Sequence, residues 1–180
     1  FHGRVWSTEA LTAMAGGWLD VLGEEFQASG RPIGMVMANH PQSVALMFAL
    51  SCLPSPLILL PLDLRPWRTS PPLPADTRLV LLRAQQHLEA DAQSLDLDVT
   101  ILSDPDETRG SPDDPVFMAM PGLVLFTSGS TGRPRPVYRT TAALLRLAQA
   151  LVATVGLPRG AGLIAALPLA RAFGLNHGLL

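Results

Sequence analysis

Short apolar runs recur along this chain at 33–37, 57–60, 79–82, 99–102, 123–126 and 163–167, and apart from Thr100 they are apolar on consecutive residues, without a period of two. A strand with one wet face has to alternate, because successive side chains point to opposite faces. A run that stays apolar throughout belongs to a strand covered on both faces, which is the situation of a parallel sheet. The intervals between the runs carry helical spacing. Leu11, Met14, Trp18, Leu22 and Phe26 form one stripe, behind Ser7 as N-cap and Glu9 in the first turn, with Gly30 as the stop. Segments 43–53, 85–95 and 141–155 read as further helices, the second with Leu88, Ala92 and Leu95 on one side. Arg78 opens the third strand, and 136–140 is read as an extended return partner. Proline-rich 69–77 and acid-rich 103–115 read as loops. The expected class is therefore α/β, a mostly parallel sheet flanked by helices.

At 180 residues the chain is long enough for one core or one lobe of a larger protein. With 48% hydrophobic and only 16% charged residues, many side chains need a deep core or a neighbour to cover them. The formal charge of −2 offers no electrostatic reason to bind nucleic acid or an anionic membrane surface. Cys52 is the single cysteine, which excludes an internal disulfide or a cysteine zinc cluster and is compatible with a cytoplasmic location. His2, His40, His87 and His177 are scattered without metal-ligand spacing, so no metal site is expected. Segment 44–62 carries no charge over 19 residues, but Pro54, Pro56 and Pro61 interrupt it. It reads as a buried helix, a proline turn and a buried strand, with no membrane span. The chain opens on Phe1 and closes on apolar 173–180, so it is read as one piece of a longer product.

One stretch carries chemistry. The run 123–126 leads into Thr127, Ser128, Gly129, Ser130, Thr131, Gly132, Arg133, Pro134 and Arg135. Glycines permit tight turns that bring backbone N–H groups close to a ligand, and successive N–H groups form an anion-binding nest. Hydroxyls at 127, 128, 130 and 131 add donors, and Arg133 and Arg135 add charge. A polyphosphate needs this combination. The spacing is neither that of a Walker A loop nor the G-x-G-x-x-G of a dinucleotide fold. A plain flexible linker would not be expected to follow a buried strand and end in cation-proline-cation. An RNA-binding G-x-x-G loop at 129–132 lacks both a basic chain and a β-α-α setting.

Thr127 to Arg135 resembles the signature loop of the adenylate-forming superfamily: acyl-CoA synthetases, adenylation domains of peptide synthetases and luciferases. Arg135 stands where the family usually has lysine, keeping the charge and changing its geometry. Pro136 replaces a common glycine. Other segments resemble the family in the same order. They are Val5-Trp6-Ser7-Thr8-Glu9-Ala10-Leu11 at a helix entry, Asn39-His40-Pro41-Gln42-Ser43 at a turn, and Leu60-Pro61-Leu62-Asp63 after a strand. The last is Leu167-Pro168-Leu169-Ala170-Arg171-Ala172-Phe173-Gly174-Leu175, near the family's acyl pocket.

The resemblance implies that the chain is the N-terminal portion, residues 1–180, of the large domain of a longer enzyme. Such enzymes join a carboxylic acid, fatty or aryl, to ATP with Mg2+, forming acyl-AMP, and pass the acyl group to coenzyme A or an acyl carrier protein. Thr127, Ser128, Gly129, Ser130, Thr131 and Gly132 would hold the phosphates, and Arg135 would offset their charge. Arg171 stands where the family has a histidine associated with the acid pocket and the first half-reaction; it either pairs with a carboxylate or marks an altered pocket. The family's magnesium glutamate, ribose aspartate and C-terminal lysine would lie beyond 180, so the fragment alone is expected to be inactive. The alternative is a non-catalytic domain of the same fold that binds a nucleotide or a partner protein. Phe173, Leu175, Leu179 and Leu180 are expected to form an open apolar patch that favours self-association.

Overall fold

The structure is a computed structural model that describes residues 6–67, 73–105, 121–127, 134–158 and 167–178. Five α-helices, α1 (Thr8–Ala28), α2 (Pro41–Ser51), α3 (Glu89–Gln93), α4 (Thr141–Val155) and α5 (Ala172–Gly178), accompany six strands. The strands are β1 (Ile33–Val36), β2 (Leu57–Leu60), β3 (Arg78–Leu82), β4 (Asp98–Leu102), β5 (Gly122–Phe126) and β6 (Pro136–Thr140). They form one sheet in the order β4-β3-β1-β2-β5-β6. All neighbours run parallel except β5 and β6, which pair antiparallel from Gly122 opposite Thr140 to Phe126 opposite Pro136. The expected α/β class is the observed one.

The apolar strands β1, β2, β3 and β5 are buried on both faces, whereas β4, at one edge of the sheet, is mostly half-buried. Met35, Leu57, Leu59, Val80, Leu82, Leu123 and Leu125 enter one core with Trp18, Leu22 and Phe26 of α1 and most of α2. Val36, Ile58, Leu60, Leu79, Leu81 and Phe126 enter a second core with Leu64, Trp67, Leu88, Ala92 and Leu95. Ser7 caps α1 as expected, its hydroxyl accepting from the Ala10 N–H. The helix is broken at Gly23, whose φ of 62° and ψ of −177° lie outside the helical region. His40 caps α2, its Nδ1 accepting from the Gln42 N–H, and Pro41 fills the first turn, where a missing N–H costs nothing.

Two expectations change and a third is refined. Segment 85–95 is a 3-10 helix at Arg83–Leu88 followed by the short α3, not one α-helix. The cause is Gln85, whose buried amide turns back to accept from the Leu82 N–H and donate to the Val36 carbonyl. The return strand β6 exists with the expected bounds, and it is an exposed edge of the sheet, which explains its polar residues. Leu175 is not part of an open patch: it is fully buried in the first core, while Phe173 beside it is exposed. The expected strand at 163–166 lies outside the described residues, and Leu167 is in no strand. Segment 44–62 divides between α2 and β2, and no described helix is long and apolar enough to cross a membrane.

Candidate functional site

Two features meet at the carboxyl edge of the sheet. The first is the root of the glycine loop. Beyond the last paired residues of β5 and β6, the Thr127 N–H donates to the Arg135 carbonyl at 3.0 Å. The Arg135 N–H reaches the Thr127 Oγ1 at 3.3 Å. The loop is thus the tip of a β-hairpin, and its two ends are fixed to each other. Underneath, the Phe126 ring meets Trp67 edge-on, with centroids 4.3 Å apart and planes at 70°. Trp67 comes from the 3-10 helix Arg65–Trp67 that follows β2, so two parallel neighbours jointly support the loop's entry. Ser128, Gly129, Ser130, Thr131, Gly132 and Arg133 lie outside the described residues. Arg135 is exposed and has no ion pair among the described residues.

The second feature is a cleft of about 300 Å³, lined by Met37, Asn39, Pro61, Leu62, Pro168, Ala170 and Arg171. Met37 follows β1 and Pro61 follows β2. The chain leaves β1 toward α2 on one face and leaves β2 toward Trp67 on the other. Connections that diverge to opposite faces open a crevice beyond the strand ends, where ligands of open α/β sheets bind. Since β5 lies directly beside β2, the loop root and the cleft share that edge.

The outer wall of the cleft is the segment 167–171, and its geometry accounts for the residues found there. The Pro168 carbonyl accepts from the Arg171 N–H at 3.0 Å, and the Arg171 carbonyl accepts from the Leu175 N–H at 2.9 Å, which winds the turn directly into α5. A Cβ on Gly174 would collide with the Pro168 carbonyl, so only glycine fits. Leu169 and Ala170 are buried, whereas Arg171 is exposed at the cleft with no ion pair among the described residues. The cleft therefore has mostly apolar walls, one amide and one open cation. Among the described residues no three His, Cys, Asp or Glu side chains are grouped to hold a metal.

Of the expected site residues, the structure brings Thr127 and Arg135 together and places Arg171 on the neighbouring cleft. Sequence reasoning did not single out Trp67, Met37 or the side chain of Asn39. In the sequence Asn39 stands only in a turn, and its partners lie more than a hundred residues away.

A model of the AMP-binding enzyme family matches residues 16–180. No curated protein matches the chain. Among solved structures, a long-chain-fatty-acid-CoA ligase from Archaeoglobus fulgidus superposes with a TM-score of 0.67 at 15% identity, covering 98% of this chain and 40% of that one. MatB from Rhodopseudomonas palustris gives 0.68 at 19% identity, over 92% of this chain and 35% of that one. In its ATP-bound form MatB gives 0.60 at 20% identity, over the same shares, 92% and 35%. An adenylation domain of a keto acid-selecting NRPS module bound to keto acyl adenylate gives 0.64 at 16% identity, over 92% and 32%. The chain spans less than half the length of each of these proteins.

Proposed function

The chain belongs to the AMP-binding enzyme family, and on that premise we propose that it is the N-terminal part of the large domain of an enzyme that activates a carboxylic acid with ATP. In this reading the acid's carboxylate oxygen attacks the α-phosphorus of ATP. The bond to the β-phosphate breaks, pyrophosphate leaves with the electron pair, and acyl-AMP remains. Coenzyme A or a carrier-protein thiol then takes the acyl group. The physical obstacle is repulsion between an anionic nucleophile and a polyanion, which positioning and oriented donors overcome.

The observation that carries the reading is the pinned hairpin root at Thr127 and Arg135, beside a cleft that ends in Arg171. The segment 128–133 is rich in hydroxyls and glycines, and the two residues that bracket it, Thr127 and Arg135, are bonded to each other. The Arg135 guanidinium, unengaged among the described residues, suits a phosphate oxygen. The apolar cleft suits the body of an acid, and Arg171 its anionic end during approach.

The test is ATP–pyrophosphate exchange by the full-length protein with a panel of fatty and aryl acids, for the wild type and a Thr131→Ala, Arg135→Ala double variant. Loss of charge-assisted bonds of about 1–3 kcal/mol corresponds to a reduction of roughly 5- to 150-fold in kcat/KM for ATP. Unchanged exchange by a folded double variant removes the loop from the mechanism. No exchange with any acid by the wild type favours a non-catalytic binding domain.

A further inference from the structure

A side chain from the other side of the opening bonds to the wall of the cleft. Asn39 Nδ2 donates to the Leu167 carbonyl at 2.9 Å, and Asn39 Oδ1 accepts from the Leu169 N–H, also at 2.9 Å. Between these two residues sits Pro168, which has no N–H to give. The Asn39 amide thus pairs with the segment as a neighbouring strand would, one donor and one acceptor across a gap that backbone alone leaves unpaired. Among short side chains only asparagine offers both functions in one plane; aspartate offers acceptors alone, and serine's one hydroxyl cannot span both partners. Asn39 follows β1, so the wall is tied directly to a central strand of the sheet. The same segment presents Pro168, Ala170 and Arg171 to the cleft, and Asn39 itself lines it.

We propose that Asn39 is a positioning residue for the acid: by clamping residues 167 and 169 it fixes where Arg171 stands across the cleft from Met37, Pro61 and Leu62. The assignment rests on the acid-activation reading for its substrate and on the two hydrogen bonds for its geometry. It separates the two halves of the site. The ATP loop is rooted through Thr127, Arg135, Phe126 and Trp67, none of which bonds to Asn39. Loosening the clamp therefore acts on the acid and spares the nucleotide. A defect of the fold would affect both.

The experiment uses the full-length protein with Asn39→Ala, which removes both bonds, and Asn39→Asp, which keeps the acceptor for Leu169 and loses the donor for Leu167. Hydrogen exchange is read at the Leu169 amide, and ATP–pyrophosphate exchange gives separate KM values for acid and ATP. In Asn39→Ala, Leu169 exchange is expected to accelerate at least about tenfold while the β1 and β2 amides keep their protection, because removing an acceptor opens that amide locally. The acid KM is expected to rise about tenfold or more, with the ATP KM within about twofold. Asn39→Asp should fall between wild type and Asn39→Ala on both readouts. Unchanged Leu169 protection overturns the clamp, and acid and ATP KM values that rise together overturn its selectivity for the acid. If the wild type activates no acid, the function proposed above fails. The Leu169 amide still decides whether the clamp exists.

Discussion

Gln85 and Asn39 show a side-chain amide doing the work of a peptide group. Gln85 is 5% exposed, and both ends of its amide are used, toward the Leu82 N–H and the Val36 carbonyl. Removing it would orphan two buried backbone groups, at a cost of about 1–3 kcal/mol each. Cys52 is the opposite case, a polar group whose surroundings suppress its chemistry. It caps the end of α2, and its thiol donates to the Phe48 carbonyl. Burial pushes the thiol pKa up from its ordinary value, and Ser51 only partly opposes this. A raised pKa means less thiolate at any given pH, and the thiolate is the nucleophile. Iodoacetamide should therefore alkylate native Cys52 several-fold more slowly at pH 8 than the urea-unfolded chain, with the rate rising only at more alkaline pH. Equal rates in the two states would refute this account.

Among the elements, α4 shows how little burial is needed to dock a helix whose ends are already secured. Its N-cap Thr140 hydroxyl accepts from the Ala143 N–H, and Gly156 closes it in the left-handed conformation with φ 67°. Along its 15 residues only Leu144 is buried, at 2% exposure, while Leu147 is 42% exposed. Leu144→Ala should lower stability by about 2–4 kcal/mol, because transfer and cavity terms add at a packed site. Leu147→Ala should stay within about 0.5 kcal/mol. Urea unfolding measures both; equal costs would mean that α4 is held by a different face.

At the scale of the molecule, apolar surface is left on the last two described helices. Leu145, Leu147, Val152 and Val155 on α4 are exposed, as is Phe173 on α5, and the two helices pack against each other. Leu175, the position first expected to belong to this surface, is inside the core and would only report on folding. Exposed apolar surface of this kind drives association. A chain expressed as residues 1–180 should show light scattering that grows with concentration, and Val155→Ser with Phe173→Ser should reduce it. A monomer at every concentration would contradict this.

Period and punctuation are local, and they were readable before any fold was known. The runs 57–60 and 78–82 became β2 and β3 with those bounds, and 141–155 became α4, because a covered strand and a capped helix carry their pattern within themselves. The hairpin at Thr127 and Arg135 was half legible: the glycines and hydroxyls of the loop stand in the sequence, whereas its root depends on β5 and β6 pairing. Strand order was not readable at all, since periodicity says that a face is apolar and not which neighbour covers it. Nor was the fate of 85–95, where Gln85 finds its partner Val36 across 49 residues, or the role of Asn39, whose partners lie 128 and 130 residues on. Such contacts cost little extra closure entropy once the sheet has brought the segments together. The sequence therefore determined most of the elements, and only the tertiary structure decided which side chains meet at the carboxyl edge, because that meeting is a property of the assembled sheet.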